Sequence, residues 1–144
     1  MWSASAGIAA LACVAAPALA DTCVRADFEA AVNSAAKTLR GLSRKNTPDF
    51  QGRLKTLKEK RGWTHDQFLK EAAPLVQDER TMDFDRRSNA VLEEIQRLGA
   101  EGANAEKPDC AALAQLQRHM AALVSIQTGK WDYMFSRVDA ELRK

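Results

Sequence analysis

The chain of 144 residues carries 21 Lys and Arg against 19 Asp and Glu, a formal net charge of +2, and its side chains are 46% hydrophobic but only 6% aromatic. That length suits about one domain. A balance weighted to Leu, Ala, Val, Glu, Lys and Arg suits a helical bundle and excludes a wholly disordered chain.

The charge is unevenly distributed. Residues 1–20 contain no charged side chain, and every Lys, Arg, Asp and Glu lies between Asp21 and Lys144. The apolar run 7–16 has the length of a signal-peptide core and is too short to span a bilayer. Pro17 breaks it, and Ala18-Leu19-Ala20 is a small-x-small cleavage site. Residues 1–20 therefore read as a cleaved signal peptide, residues 21–144 as a single helical-bundle domain, and a bacterial periplasm as the destination. The start Met1-Trp2-Ser3 departs from the pattern in lacking Lys or Arg, and Ala10, where a lipoprotein would need Leu, speaks against lipidation at Cys13. No second apolar stretch reaches the roughly 20 residues of a transmembrane helix. The processed chain is thus not expected to be an integral membrane protein.

Cleavage removes Cys13 and leaves Cys23 and Cys110 in a compartment where thiols oxidise. One structural disulfide is expected; a redox or metal role would call for a CxxC pair or a neighbouring His, and neither cysteine has one.

Along the mature chain, a first helix is expected over residues 25–44, where Val24, Phe28, Val32, Ala35, Leu39 and Leu42 recur every three or four residues. Asn46-Thr47-Pro48-Asp49 resets the chain, with Thr47 as a cap and Pro48 at a first helical position. A short second helix follows over residues 49–61, with Phe50, Leu54 and Leu57 on its apolar face. Gly62 ends it, and Thr64-His65-Asp66-Gln67 is a capping box that opens the third helix. Phe68, Leu69, Ala72, Leu75 and Val76 begin the core face of that helix; Val91, Leu92, Ile95 and Leu98 end it. The span 77–89 between them is strongly polar, and Pro74 should kink or split the helix. Residues 99–107, with two glycines and an Asn, read as a loop. The fourth helix starts near Pro108-Asp109 and carries the strongest periodicity, from Leu113 and Leu116 to Val138 and Leu142, interrupted at Gln127, Thr128 and Gly129.

A disulfide between Cys23 and Cys110 requires the first and fourth helices to start at the same end. With the short helix as a lateral connector and the third helix as the only return path, the expected fold is all-α: three long helices plus one short connecting helix, the first and last parallel and tied by the disulfide.

Asp83, Asp85, Asn89 and Glu94 occupy positions 1, 3, 7 and 12 of a calcium loop. Ser88 replaces its glycine, however, and Arg87 stands where a ligand oxygen belongs. Helical ion pairs from Asp83 to Arg86 and Arg87 account for the same spacing. His65 and His119 have no second ligand at helical spacing. No nucleophile with its base, carboxylate pair or phosphate loop is visible, so no cofactor, metal or catalytic residue is assigned, and an enzyme would need a site assembled from scattered side chains.

Eight basic residues fall within residues 40–61, among them Arg53, Lys55, Lys58 and Arg61, against only Asp49 and Glu59. In a periplasm such a stretch points to another envelope protein or an anionic envelope surface and not to nucleic acid; its plainer use is a solvated helix face. Trp131, Met134 and Phe135 fit the core stripe of the last helix. Tyr133 falls off that stripe and is a candidate exposed anchor, a residue type in which binding energy concentrates. Trp63 is either a hydrophobic staple before the Thr64 cap or a second such anchor.

Residues 63–67, Trp-Thr-x-x-Gln, are similar to the Leu-Thr-x-x-Gln signature of the small periplasmic stress chaperones of the Spy and CpxP type, which are helical. The likeness covers five residues and departs at the first, and the capping box accounts for its spacing.

The sequence leads to the expectation of a non-enzymatic periplasmic protein that binds another macromolecule, an adaptor or chaperone-like factor. Its contact residues would be Trp63, Tyr133 or the basic group Arg53, Lys55, Lys58 and Arg61. The alternative is a small-ligand or metal-ion binding protein with a pocket between the third and fourth helices near residues 127–129.

Overall fold

The computed structural model describes residues 22–144; the expected signal peptide over 1–20 and its cleavage site lie outside the described residues. These form helices α1 (Arg25–Arg61), α2 (His65–Val76), α3 (Glu79–Asn104) and α4 (Cys110–Arg143), with no strand among them. Three helices are long and one is short. Helix α4 touches all three others, whereas α1 and α3 flank it and meet each other little. No helix among the described residues is long and apolar enough to cross a membrane.

The first and last helices run parallel. Cys23 and Cys110 form a disulfide at their N-terminal ends, with Cα atoms 5.6 Å apart and 87 residues of separation. Some thirty residues further along, Arg53 meets Asp139 at almost the same separation, 86 residues. Helix α3 returns antiparallel: Asp78 at its start meets Arg137, then Asp85 meets Lys130 and Ser88 meets Gln127, the partners moving backwards along α4.

The short connector is α2, and not the expected segment 49–61, because α1 continues through Pro48 without a break. A proline inside a helix removes one hydrogen bond and crowds the preceding turn. Here Pro48 lies on the exposed side, where the carbonyl it orphans faces water. The core face on both sides of it is pinned to α4: Leu39 packs in one cluster, and Phe50 stands edge-on to Trp131 and Phe135, with ring centroids 5.9 and 5.3 Å away. Tertiary packing of one continuous stripe outweighs the local breaker.

The expected third helix does split, but at Gln77–Asp78, three residues past Pro74. Asp78 caps α3 by accepting from the Thr81 amide at 2.8 Å, while the Thr81 hydroxyl accepts from the Asp78 amide at 2.8 Å. The expected loop at 99–107 is mostly helix, since α3 runs on to Asn104. Gly102 is there because Phe28 crosses it: a Cβ at that position would lie 2.4 Å from the Phe28 ring. The absent side chain is a seat for the α1 aromatic. Helix α4 begins as expected, with Asp109 accepting from the Ala111 amide.

Two apolar clusters lie along the bundle. One, near the disulfide, joins Phe28, Ala35, Ile95, Leu98, Leu116, Met120 and Leu123. The other, at the far end, joins Phe50, Leu57, Leu75, Met134 and Val138, with Trp63, Trp131 and Phe135 packed around it. Leu57, Leu98, Leu116 and Val138 are almost fully buried, each contributing roughly 1.5–3 kcal/mol.

Three outcomes follow for equilibrium denaturation. Replacing both Cys23 and Cys110 by Ser should lower stability by about 4–5 kcal/mol, the chain-entropy value for so long a loop. Gly102→Ala should lower it by about 1–3 kcal/mol through overpacking against Phe28, while Gly99→Ala, where an added Cβ meets nothing within 4 Å, should raise it by about 0.4–1 kcal/mol.

Candidate interaction surface

The basic residues of α1 divide by the direction their helix positions face. Arg53 turns toward α4: its Nη1 donates to Asp139 at 2.5 Å and its guanidinium lies 4.6 Å from the centre of the Phe135 ring. Arg61 donates to both the carbonyl and the carboxylate of Glu141, at 3.2 and 3.0 Å. Lys60 donates to the carbonyl of Leu142 at 2.5 Å. Arg53 and Arg61 therefore fasten α1 to α4. Glu141 lies in this cluster, its carboxyl held below the usual range by a hydrogen bond from Lys144, with Lys144, Arg61 and Arg137 adding positive charge nearby.

Five of the remaining seven cations of α1 align, Arg25 and Lys45 standing apart. With 100° per residue, Lys37, Arg40, Arg44, Gln51, Lys55 and Lys58 share one face of α1, roughly opposite Ala35, Phe50 and Leu57. The ridge spans about 30 Å at 1.5 Å per residue. Lys37, Arg40 and Arg44, with neighbouring Lys45, are exposed and pair with no carboxylate among the described residues. Lys55 reaches Glu59 only at 4.0 Å, with both side chains largely exposed, an ion pair that holds little energy. Lys58 folds over the Phe68 ring of α2, its Nζ 5.7 Å from the centroid. Between α1 and α2 an open groove of about 370 Å³ is lined by Gln51, Leu54, Lys55, Lys58 and Phe68. Sequence reasoning found the basic stretch but missed Lys37 as its first member and missed the groove, which joins residues on either side of a helix reversal.

The two aromatic candidates are engaged within the fold. Tyr133 is half-buried and donates its hydroxyl to Asp78 at 2.5 Å, with Arg80 4.7 Å from its ring centre and Phe84 beside it. Off the main stripe of α4, it points to the start of α3 and not to solvent. Asp78 also accepts from Arg137. The Tyr133 hydrogen bond, the Thr81 amide and the Arg137 charge together hold the Asp78 carboxyl down at about 2. Trp63 is half-buried against the far cluster. Its amide donates to the Lys58 carbonyl and that of Gly62 to Glu59, closing α1 through the left-handed Gly62, the hydrogen-bonded helix stop that glycine permits.

The polar interruption of α4 is also satisfied internally. Gln127 donates to the buried Ser88 at 2.8 Å, and Thr128 donates back to the Val124 carbonyl. Gly129 lets the Phe84 ring approach to 3.2 Å from where a Cβ would stand. An open groove of about 330 Å³ runs beside Gln127, lined by Leu39, Leu42, Ser43, Leu92, Leu123 and Trp131, so it involves α1 as well as α3 and α4. The calcium-like spacing lies on continuous α3 helix, where Asp83 pairs with Arg86 at 3.0 Å. Among the described residues, no group of three or more His, Cys, Asp or Glu is placed to hold a metal ion.

Because the folded pKa of Asp78 lies below its ordinary 3.8, the stability it supplies is present above pH 3.8 and is lost as pH falls through about 2. In thermal melts, Asp78→Asn should be less stable than the parent at neutral pH, and the gap between them should close over that acid window. No protein-family model, no curated protein and no solved structure matches the chain.

Proposed function

We propose that the chain is an exported periplasmic protein that acts by binding another macromolecule, as an adaptor or chaperone-like factor, and that the outer ridge of α1 makes the contact with an acidic protein surface. The observation that carries this reading is the alignment of Lys37, Arg40, Arg44, Lys55 and Lys58 on one face, apart from the cations that hold α1 to α4. Like charges three and four residues apart on a helix destabilise it by roughly 0.2–0.5 kcal/mol per pair. Lys37 with Arg40, Arg40 with Arg44, and Lys55 with Lys58 each have that spacing. A purely solvated face gains nothing from such repetition, whereas a partner of opposite sign relieves it and is drawn in over a Debye length of about 8 Å at physiological salt.

The small-ligand reading has weaker support. The groove beside Gln127 is open and mostly apolar, and the amide that would orient a ligand is committed to Ser88.

The test is a photo-crosslinking residue in place of the exposed Gln51, with the exported protein irradiated in living cells. Discrete protein adducts are expected. They should disappear when Arg40, Arg44 and Lys55 are changed to Glu, and persist when the exposed Arg118 of α4 is changed to Glu. Adducts indifferent to the triple charge reversal, or none at all, would remove the ridge from the reading.

A further inference from the structure

The ridge ends in a notch, and we infer that the groove between α1 and α2 receives an apolar side chain from an acidic amphipathic helix of the partner, whose carboxylates meet Lys55 and Lys58. This rests on the reading above and specifies the partner's chemistry.

The floor of the groove is Leu54 and Phe68, which the fold leaves half-covered although the same two helices bury Leu57 and Leu75. Its volume of about 370 Å³ lies at the small end of ligand pockets, which run from roughly 300 to 1,000 Å³. It is thus a place for one or two side chains. Lys55 and Lys58 form its rim and are also the last two members of the ridge, so the apolar notch and the positive stripe are one continuous surface.

A groove between two helices, apolar at its floor and charged at its rim, matches the helix-in-groove mode, in which anchors at i, i+3 and i+4 enter the groove and the opposite face stays polar. The single sign of the rim selects acidic flanks. An anionic membrane fits less well. Among the described residues, Val24, Val32, Leu69, Met82 and Leu92 are the exposed large apolar ones, and none of them lies on the ridge between Lys37 and Lys58. A long polar stripe with one notch at its end suits a discrete anchor better than insertion into lipid.

The experiment uses the purified full mature chain and three probes, measured by calorimetry. The first is a synthetic helical peptide of about 18 residues, roughly five turns, with Glu on one face and Leu on the other. The second has every Leu replaced by Ser at the same charge, and the third is a vesicle of phosphatidylglycerol. The Leu peptide should bind at least about tenfold more tightly than the Ser peptide, the scale of losing one buried anchor. Phe68→Ala should abolish that difference and leave Ser-peptide binding unchanged, while Lys55→Glu with Lys58→Glu should abolish binding of both. The comparison between peptides needs no change in the protein, so a folding defect in the Phe68 variant would not obscure it. Equal binding of the two peptides overturns the groove and leaves the ridge standing. Binding of neither peptide removes the ridge as well, and tight binding of the vesicle alone overturns the assignment of a protein helix as occupant.

Discussion

Two long helices lying side by side in the same direction set like ends of their dipoles together, and this constraint shapes both ends of the bundle. At the C-terminal ends of α1 and α4, each helix presents about half a negative charge on its last carbonyls. Lys60 and Arg61 answer it by reaching from α1 to the Leu142 and Glu141 carbonyls of α4. At the N-terminal ends, where the partial charges are positive, Asp27 accepts from the Val24 amide and Asp109 from that of Ala111, and the C-terminal end of antiparallel α3 brings opposite polarity near. The disulfide adds a covalent tie at that end.

The same constraint explains why α4 is the centre. It offers one face to a parallel neighbour and another to an antiparallel one, so its apolar stripe is broad and nearly continuous. That breadth made α4 the most legible helix in the sequence. The parallel arrangement was legible too, from two cysteines and the length of the return path, because a covalent tie is a global constraint written in two residues. Helix boundaries were harder to read. Pro48 and Gly102 are breakers by local propensity, yet each is overruled by something distant in sequence: the edge-on packing of Phe50 against Trp131 and Phe135, or the Phe28 ring that needs Gly102 bare. The division between α2 and α3 was hidden in a polar run, where Asp78 and Thr81 make a cap that resembles any other acidic helix surface.

The interaction surface was partly legible. A basic stretch is visible as composition, but whether a given cation serves the fold or faces away from it depends on its position relative to α4. Arg53 and Arg61 face α4, whereas Lys55 and Lys58 line the groove on the other side. Tyr133 lies off the main stripe of α4, but the stripe says nothing of a third helix whose N-cap, Asp78, lies in that direction. The groove lined by Leu54 and Phe68 depends on α2 folding back against α1, a relation with no linear signature.

The position of the disulfide has a consequence for how the bundle comes apart. It ties α1 to α4 at the end occupied by the Phe28 cluster, while the distal part of α1, which carries Lys55 and Lys58, is held by side-chain packing and ion pairs. Sub-global opening begins where the restraint is weakest, which in the oxidised bundle is the end opposite the disulfide. With the N-terminal ends of α1 and α4 joined covalently, an oxidised chain that opens at that opposite end has only a local search to make before the two helices pair again in the same register.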